Sequence, residues 1–292
     1  MKDFKALWKE YTCNLDDAQV KKEVTTLLAE KAEKNKTVEV YKQCFNSIDL
    51  TSLNTADQVS IIETMVEKVN AFPAKYPEMP SVAAICVYPV FANVVKDKLD
   101  QPLGIAAVSA GFPSSQTFLE VKIAETAMAV SDGASEIDVV ISVGKFLEGN
   151  YEEMYEELAE IKAACRGAHL KVILETGALV SAENIKKASI VAMAAGADFI
   201  KTSTGKMSPA ATVEAAYVMC GAIKEFYKKT GEKIGFKPAG GIVTTEDAVN
   251  YYTIVKEVLG EEWLNNKLFR IGASRLANNL LTAIYGETIS YF

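Results

Sequence analysis

The chain of 292 residues is 49% apolar and 24% charged, an ordinary globular composition that buries a large core without a metal or disulfide staple. Its net charge of -7 argues against a nucleic-acid or anionic-membrane partner, since both need a basic face. The five cysteines are scattered and form no C-x-x-C pair, which suits a reducing compartment, and the lone His169 leaves no His-rich zinc site. No apolar run approaches the roughly 18 residues that cross a bilayer. Met1-Lys2-Asp3-Phe4-Lys5 also lacks the core of a targeting signal, so a soluble, cytoplasmic protein is expected.

Residues 1–40 read as a helical extension, with one or two amphipathic helices ahead of the first strand. Short apolar runs then recur at 47–50, 82–88, 104–109, 136–141, 171–174, 199–201, 234–237 and 268–271. Several are unbroken rather than alternating, as in parallel strands covered on both faces. Helical patterns lie between and after them at 56–72, 116–130, 151–165, 182–195, 210–229, 245–259 and 274–285. Ser181 before Asn184, and Thr245 with Glu246 and Asp247, supply start signals. This repetition predicts an α/β fold, a (β/α)8 TIM barrel in one domain, with the barrel at 41–286 and a tail at 287–292. A doubly wound open sheet is the alternative, but no G-x-G-x-x-G follows the first strand. Thr204-Gly205-Lys206-Met207 looks like the end of a P-loop, yet it lacks the upstream glycine and the Ser or Thr after lysine.

The chemistry lies where charges interrupt apolar strands. Lys201 ends Asp198-Phe199-Ile200-Lys201, Lys237 ends Ile234-Gly235-Phe236-Lys237, and Asp138 sits inside Glu136-Ile137-Asp138-Val139-Val140. A buried lone charge costs several kcal/mol or more, so such groups are paired, neutralised or functional. Side chains at the C-terminal ends of barrel strands converge on one mouth, where these three can meet. A purely structural Lys–Asp–Lys cluster is the alternative. A lysine is almost entirely protonated at pH 7; a second ammonium and partial desolvation lower its pKa and free a nucleophilic amine. Asp138 would then act as acid and base, directly or through a water.

An anion site is predicted at the loops after strands six, seven and eight. Gly240 and Gly241 follow one strand, Gly272 and Ser274 follow the next and open a helix, and Gly205 with Lys206 completes the cradle. Glycines let backbone N–H groups approach an anion, and a helix N-terminus adds a favourable dipole.

On these residues the chain resembles the deoxyribose-phosphate aldolases, class I aldolases of the TIM-barrel fold. The likeness runs from about residue 48 to 286. It is most specific in Asp198-Phe199-Ile200-Lys201-Thr202-Ser203-Thr204-Gly205 and Gly235-Phe236-Lys237-Pro238-Ala239-Gly240-Gly241, with support from Ile48-Asp49-Leu50-Thr51 and Lys171-Val172-Ile173-Leu174-Glu175-Thr176-Gly177. The resemblance implies reversible cleavage of 2-deoxy-D-ribose 5-phosphate to glyceraldehyde 3-phosphate and acetaldehyde, with no metal or organic cofactor. It implies Lys201 as Schiff-base former, Lys237 as the group that perturbs it, and Asp138 as acid and base. Asp49 and Thr51 match positions that assist the relay and contact sugar hydroxyls, and Asn54 adds a hydroxyl contact. Cys86 reads as packing and Glu175 as a structural ion-pair residue. Two departures stand out: Arg275 where relatives often carry a small phosphate-contacting residue, and a penultimate Tyr291 where some relatives end on a catalytic tyrosine. Another aldehyde substrate and a catalytically silent phosphosugar-binding protein are the competing readings. The resemblance implies the small phosphorylated sugar and acetaldehyde as partners, and polar helix faces are compatible with a monomer or a homodimer.

Overall fold

Each apolar run becomes a strand because both its faces are covered, the inner by opposing strands and the outer by helices. In the computed structural model, which describes residues 4–292, the strands are β1 (Ile48–Thr51), β2 (Ala84–Val87), β3 (Gly104–Ser109), β4 (Glu136–Val140), β5 (His169–Ile173), β6 (Phe199–Lys201), β7 (Gly235–Lys237) and β8 (Ile271–Ala273). Three helices precede β1: α1 (Phe4–Glu10), α2 (Asp17–Lys31) and α3 (Val38–Asn46). Between β1 and β5 lie α4 (Val59–Lys75), α5 (Ala92–Lys98), α6 (Leu119–Ser131), α7 (Val143–Leu147) and α8 (Tyr151–Ala164). The second half carries α9 (Thr176–Leu179), α10 (Ala182–Ala194), α11 (Val213–Thr230), α12 (Thr245–Leu259) and α13 (Arg275–Tyr285).

The strands run in the order β7-β6-β5-β4-β3-β2-β1-β8, with parallel pairing throughout. The circle closes where Phe236 meets Phe269 and Ala239 meets Gly272. There the Phe236 N–H donates to the Leu268 carbonyl at 2.8 Å and the Gly272 N–H to the Pro238 carbonyl at 2.9 Å. The fold is a (β/α)8 barrel. The predicted last strand, 268–271, lies on this seam: pairing with β1 starts only at Ile271, while Leu268 and Arg270 bond back to Phe236 on β7.

Three helices begin later than their apolar pattern, because the polar residues ahead form turns instead. Before α4, the Asp57 carboxylate accepts from the Ser52 hydroxyl at 2.9 Å and the Asn54 N–H at 3.0 Å. Before α6, Ser115 takes a left-handed φ of 59° and the Thr117 N–H turns back to the Ser115 carbonyl at 3.1 Å. Before α11, the Thr212 hydroxyl caps the Ala215 N–H at 3.1 Å. By contrast α12 starts where its pattern does, held by a capping box of Thr244 and Asp247.

Outside the barrel, α2 lies across α11 and α12, and the Asn35 amide donates to the Thr253 hydroxyl at 2.9 Å in a buried bond. The predicted boundary at residue 40 falls inside α3, and residues 1–3 of the predicted extension lie outside the described residues. At the other end, Tyr291 donates to the Lys68 carbonyl at 2.7 Å and Phe292 packs on Phe45 and Phe72. Among the described residues no helix is long and apolar enough to cross a membrane.

Candidate active site

Alternation along β4 sends Glu136 and Asp138 to the same face, and both are buried inside the barrel. Register then sets their neighbours: Asp138 is paired with Lys171 on β5, and Lys201 on β6 is level with Lys237 on β7. Asp138 is the hub. Its Oδ2 accepts from Lys201 Nζ at 2.7 Å and Lys237 Nζ at 2.8 Å, and its Oδ1 accepts from Lys171 Nζ at 3.0 Å. Below it, Lys171 pairs with Glu136 at 2.5 Å, and Asp49 of β1 bonds to Lys237. Arg270, on the seam, donates to Asp49 Oδ1 at 2.7 Å and to Glu136 Oε1 at 2.8 Å.

Four cations therefore face three carboxylates, which leaves one positive charge over. Lys237 shares two carboxylates and Lys171 reaches three, whereas Lys201 has only Asp138. Burial is the largest influence on every one of these groups, and the partners decide which way each moves. Burial and the Lys237 ammonium push Lys201 below the ordinary amine range, against the pull of Asp138. For Lys237, Asp138 and Asp49 outweigh burial and drive it far above that range. Asp138 is held well below the usual carboxylate range, because Lys171, Lys201 and Lys237 outweigh burial. The surplus proton is the one on Lys201.

Of these charged groups, Lys201 is the one that lines the cavity at the barrel mouth, a space of about 210 Å³. Thr51 faces the same cavity from the end of β1 and Asn54 from the loop after it, and Gly205 and Lys206 from the loop after β6. Gly240 and Gly241 line it after β7, and Gly272 and Ser274 around β8. Gly240 holds φ at 87°, and a Cβ there would sit 2.8 Å from Ala210 Cβ and 3.0 Å from Gly205 Cα, so only glycine lets the two loops meet. Ser274 caps α13 without a side-chain bond to the helix, which leaves its hydroxyl available at the mouth.

Comparison with known proteins decides the family. The profile of the DeoC/LacD family aldolases matches residues 44–256. The chain belongs to that family. It is similar to the human deoxyribose-phosphate aldolase, 45% identical over 254 residues, covering 82% of this chain and 78% of the human one. The solved structure of QR15, an aldolase, matches at 28% identity with a TM-score of 0.67, covering 83% of this chain and 96% of its own. A tetrameric deoxyribose phosphate aldolase from Aeropyrum pernix shares the fold at 23% identity and TM-score 0.65, over 87% of this chain and 97% of its own.

Within this aldolase the predicted site residues do not all come together. Lys201, Lys237 and Asp138 do, and Asp49, expected to assist the relay and to contact a sugar hydroxyl, lies with them below the cavity rather than on its lining: it is fully buried, both oxygens engaged by Lys237 and Arg270. Thr51, two residues on and one layer higher, lines the cavity instead. Glu175 forms no ion pair among the described residues; it accepts from the Thr204 N–H at 3.2 Å and hydroxyl at 2.5 Å, holding the loop after β6. Lys206 donates to the Leu53 carbonyl across the mouth. Cys86 packs with Leu53, Ala106 and Val108, and burial pushes its thiol pKa up, which makes it inert. Arg275 joins the cavity lining, while Tyr291 is docked on α4 in the outer helix layer, away from that lining. Three charged residues escape the motif reading: Glu136, Lys171 and Arg270. Their signal is the one that found Asp138, a charge inside an apolar strand run.

Proposed function

We propose that this chain is a class I aldolase that reversibly cleaves 2-deoxy-D-ribose 5-phosphate to D-glyceraldehyde 3-phosphate and acetaldehyde, with Lys201 as the Schiff-base lysine. One observation carries the reading: Lys201 is the surplus cation of a buried network and the amine of that network that opens onto the mouth. In the direction of synthesis, the neutral amine attacks the acetaldehyde carbonyl carbon and gives a carbinolamine. Loss of water forms a protonated imine, which draws electrons and lets a methyl proton leave to Asp138, directly or through a water. The resulting enamine carbon attacks the carbonyl of glyceraldehyde 3-phosphate, and water releases the product from the imine. Lys237 remains an ammonium and keeps positive charge beside the reacting nitrogen. Thr51 and Asn54 meet the sugar hydroxyls, while the glycine amides of the three loops, with Ser274 and Lys206, take the phosphate. The setting proposed is deoxyribose phosphate catabolism in the cytoplasm, by a single barrel domain at 41–286 between the 1–40 extension and the 287–292 tail.

Borohydride reduction with acetaldehyde, followed by peptide mapping, is expected to place the adduct on Lys201, with full activity in EDTA. An adduct on Lys237 would reverse the two lysines' roles. Cleavage of ribose 5-phosphate or fructose 1,6-bisphosphate in preference to deoxyribose 5-phosphate would overturn the substrate. At the phosphate cradle, Gly240→Ala is expected to lose about 1–3 kcal/mol of stability through backbone strain. It should raise KM for the phosphorylated sugar and leave trapping of acetaldehyde intact. An unchanged KM would remove Gly240 from the site.

A further inference from the structure

Building on the Schiff-base reading above, we propose that Arg270 is a positioning residue that sets the protonation of Lys201 by occupying carboxylates the lysines would otherwise share. The geometry is specific. The Arg270 guanidinium is buried, donates to Asp49 at 2.7 Å and spans both Glu136 oxygens at 3.1 and 2.8 Å. It touches neither Lys201 nor the mouth cavity, so it acts through Asp49 and Glu136 on the partners left for Lys237 and Lys171. The interior contains few other charges to blur the count. The described strand β1 brings Asp49, β2 only Cys86, β3 no titratable group, β4 Glu136 and Asp138, β5 Lys171, β6 Lys201 and β7 Lys237. Lys206, Arg275 and Tyr88 lie at or near the mouth, with Glu175 beneath Thr204.

With Arg270 present, four cations meet three carboxylates and Lys201 is the one in excess. Without its charge the count is three against three, and every lysine keeps its proton. Nucleophilic attack needs the neutral amine, so the acid limb of the pH–rate profile then moves up.

The test measures kcat/KM and borohydride trapping of acetaldehyde against pH in wild type, Arg270→Gln, Arg270→Lys and the double variant Glu136→Gln with Arg270→Gln. Arg270→Gln should move the acid limb upward by about one pH unit, roughly a ten-fold loss on that limb. Arg270→Lys should leave the limb in place. The double variant removes one charge of each sign, restores the surplus, and should bring the limb back. A limb that stays put in Arg270→Gln, or loss in single and double variants alike with no shift, overturns the proposal. Should Arg270→Gln fail to fold by thermal melting, Arg270→Lys decides: an upward shift despite the retained charge also overturns it. The wild-type adduct on Lys201 is measured in the same series, so failure of the Schiff-base reading itself is seen separately.

Discussion

Lys201→Met is expected to lower turnover on the order of 10⁴-fold or more and to abolish the borohydride adduct, while melting no lower than the wild type. The two outcomes belong together. The ammonium of Lys201 is buried, 3% exposed, and is the charge for which the barrel interior has no carboxylate of its own. Removing it leaves Asp138 with Lys171 and Lys237, a balanced set with Asp49, Glu136 and Arg270. Methionine has similar length and no charge to desolvate, so stability holds or rises. The sign with pH follows. A lysine whose folded pKa is depressed weakens the native state most where it is protonated in both states, below that pKa. The advantage of Lys201→Met should therefore grow toward acid and shrink as pH rises. Residual turnover within ten-fold of wild type, or a folded protein much less stable than wild type, would contradict the assignment of Lys201 as both nucleophile and surplus cation.

Asp138→Asn is expected to have the opposite balance of effects, with large losses of both stability and activity. Its carboxylate holds three ammonium groups at 2.7 to 3.0 Å, and asparagine keeps the shape without the charge. Three buried lysines and Arg270 would then face only Asp49 and Glu136, a loss of about 3–5 kcal/mol by the usual cost of breaking a buried ion pair. Turnover should fall on the order of 10²- to 10⁴-fold, as for the loss of a general acid–base group. Because the folded pKa of Asp138 is depressed, its stabilising contribution is complete above the ordinary carboxylate pKa of about 3.9 and is lost as pH falls toward the folded value. Urea denaturation should thus show a constant gap between wild type and variant near neutrality, narrowing in acid. A gap below 1 kcal/mol (far smaller than about 3–5) would mean that Asp138 is not the hub of the network.

Much of this site is legible in the amino-acid sequence. Lys201, Lys237 and Asp138 are visible because a charge in an apolar strand is rare and costly, and the barrel pattern says that strand ends converge. The cradle glycines are visible because they follow consecutive strands. Asp49 shows where that logic stops. Its spacing from Thr51 correctly puts both on one face, yet a strand's period of two does not say which layer of the barrel each reaches. Thr51 arrives at the mouth and Asp49 stays below it, between Lys237 and Arg270.

Local order in the chain determined the elements, the face each strand turns inward and the residues able to do amine chemistry, because hydrophobic period and residue type are properties of neighbouring positions. Tertiary structure alone decided which amine is left with a single, shared counter-ion. That outcome depends on Glu136 and Arg270, 134 residues apart, meeting across the closed barrel, and on Asp49 reaching Arg270 from 221 residues away. Electrostatic balance is a sum over everything within a few ångströms in space, and closure of the barrel brings those charges together.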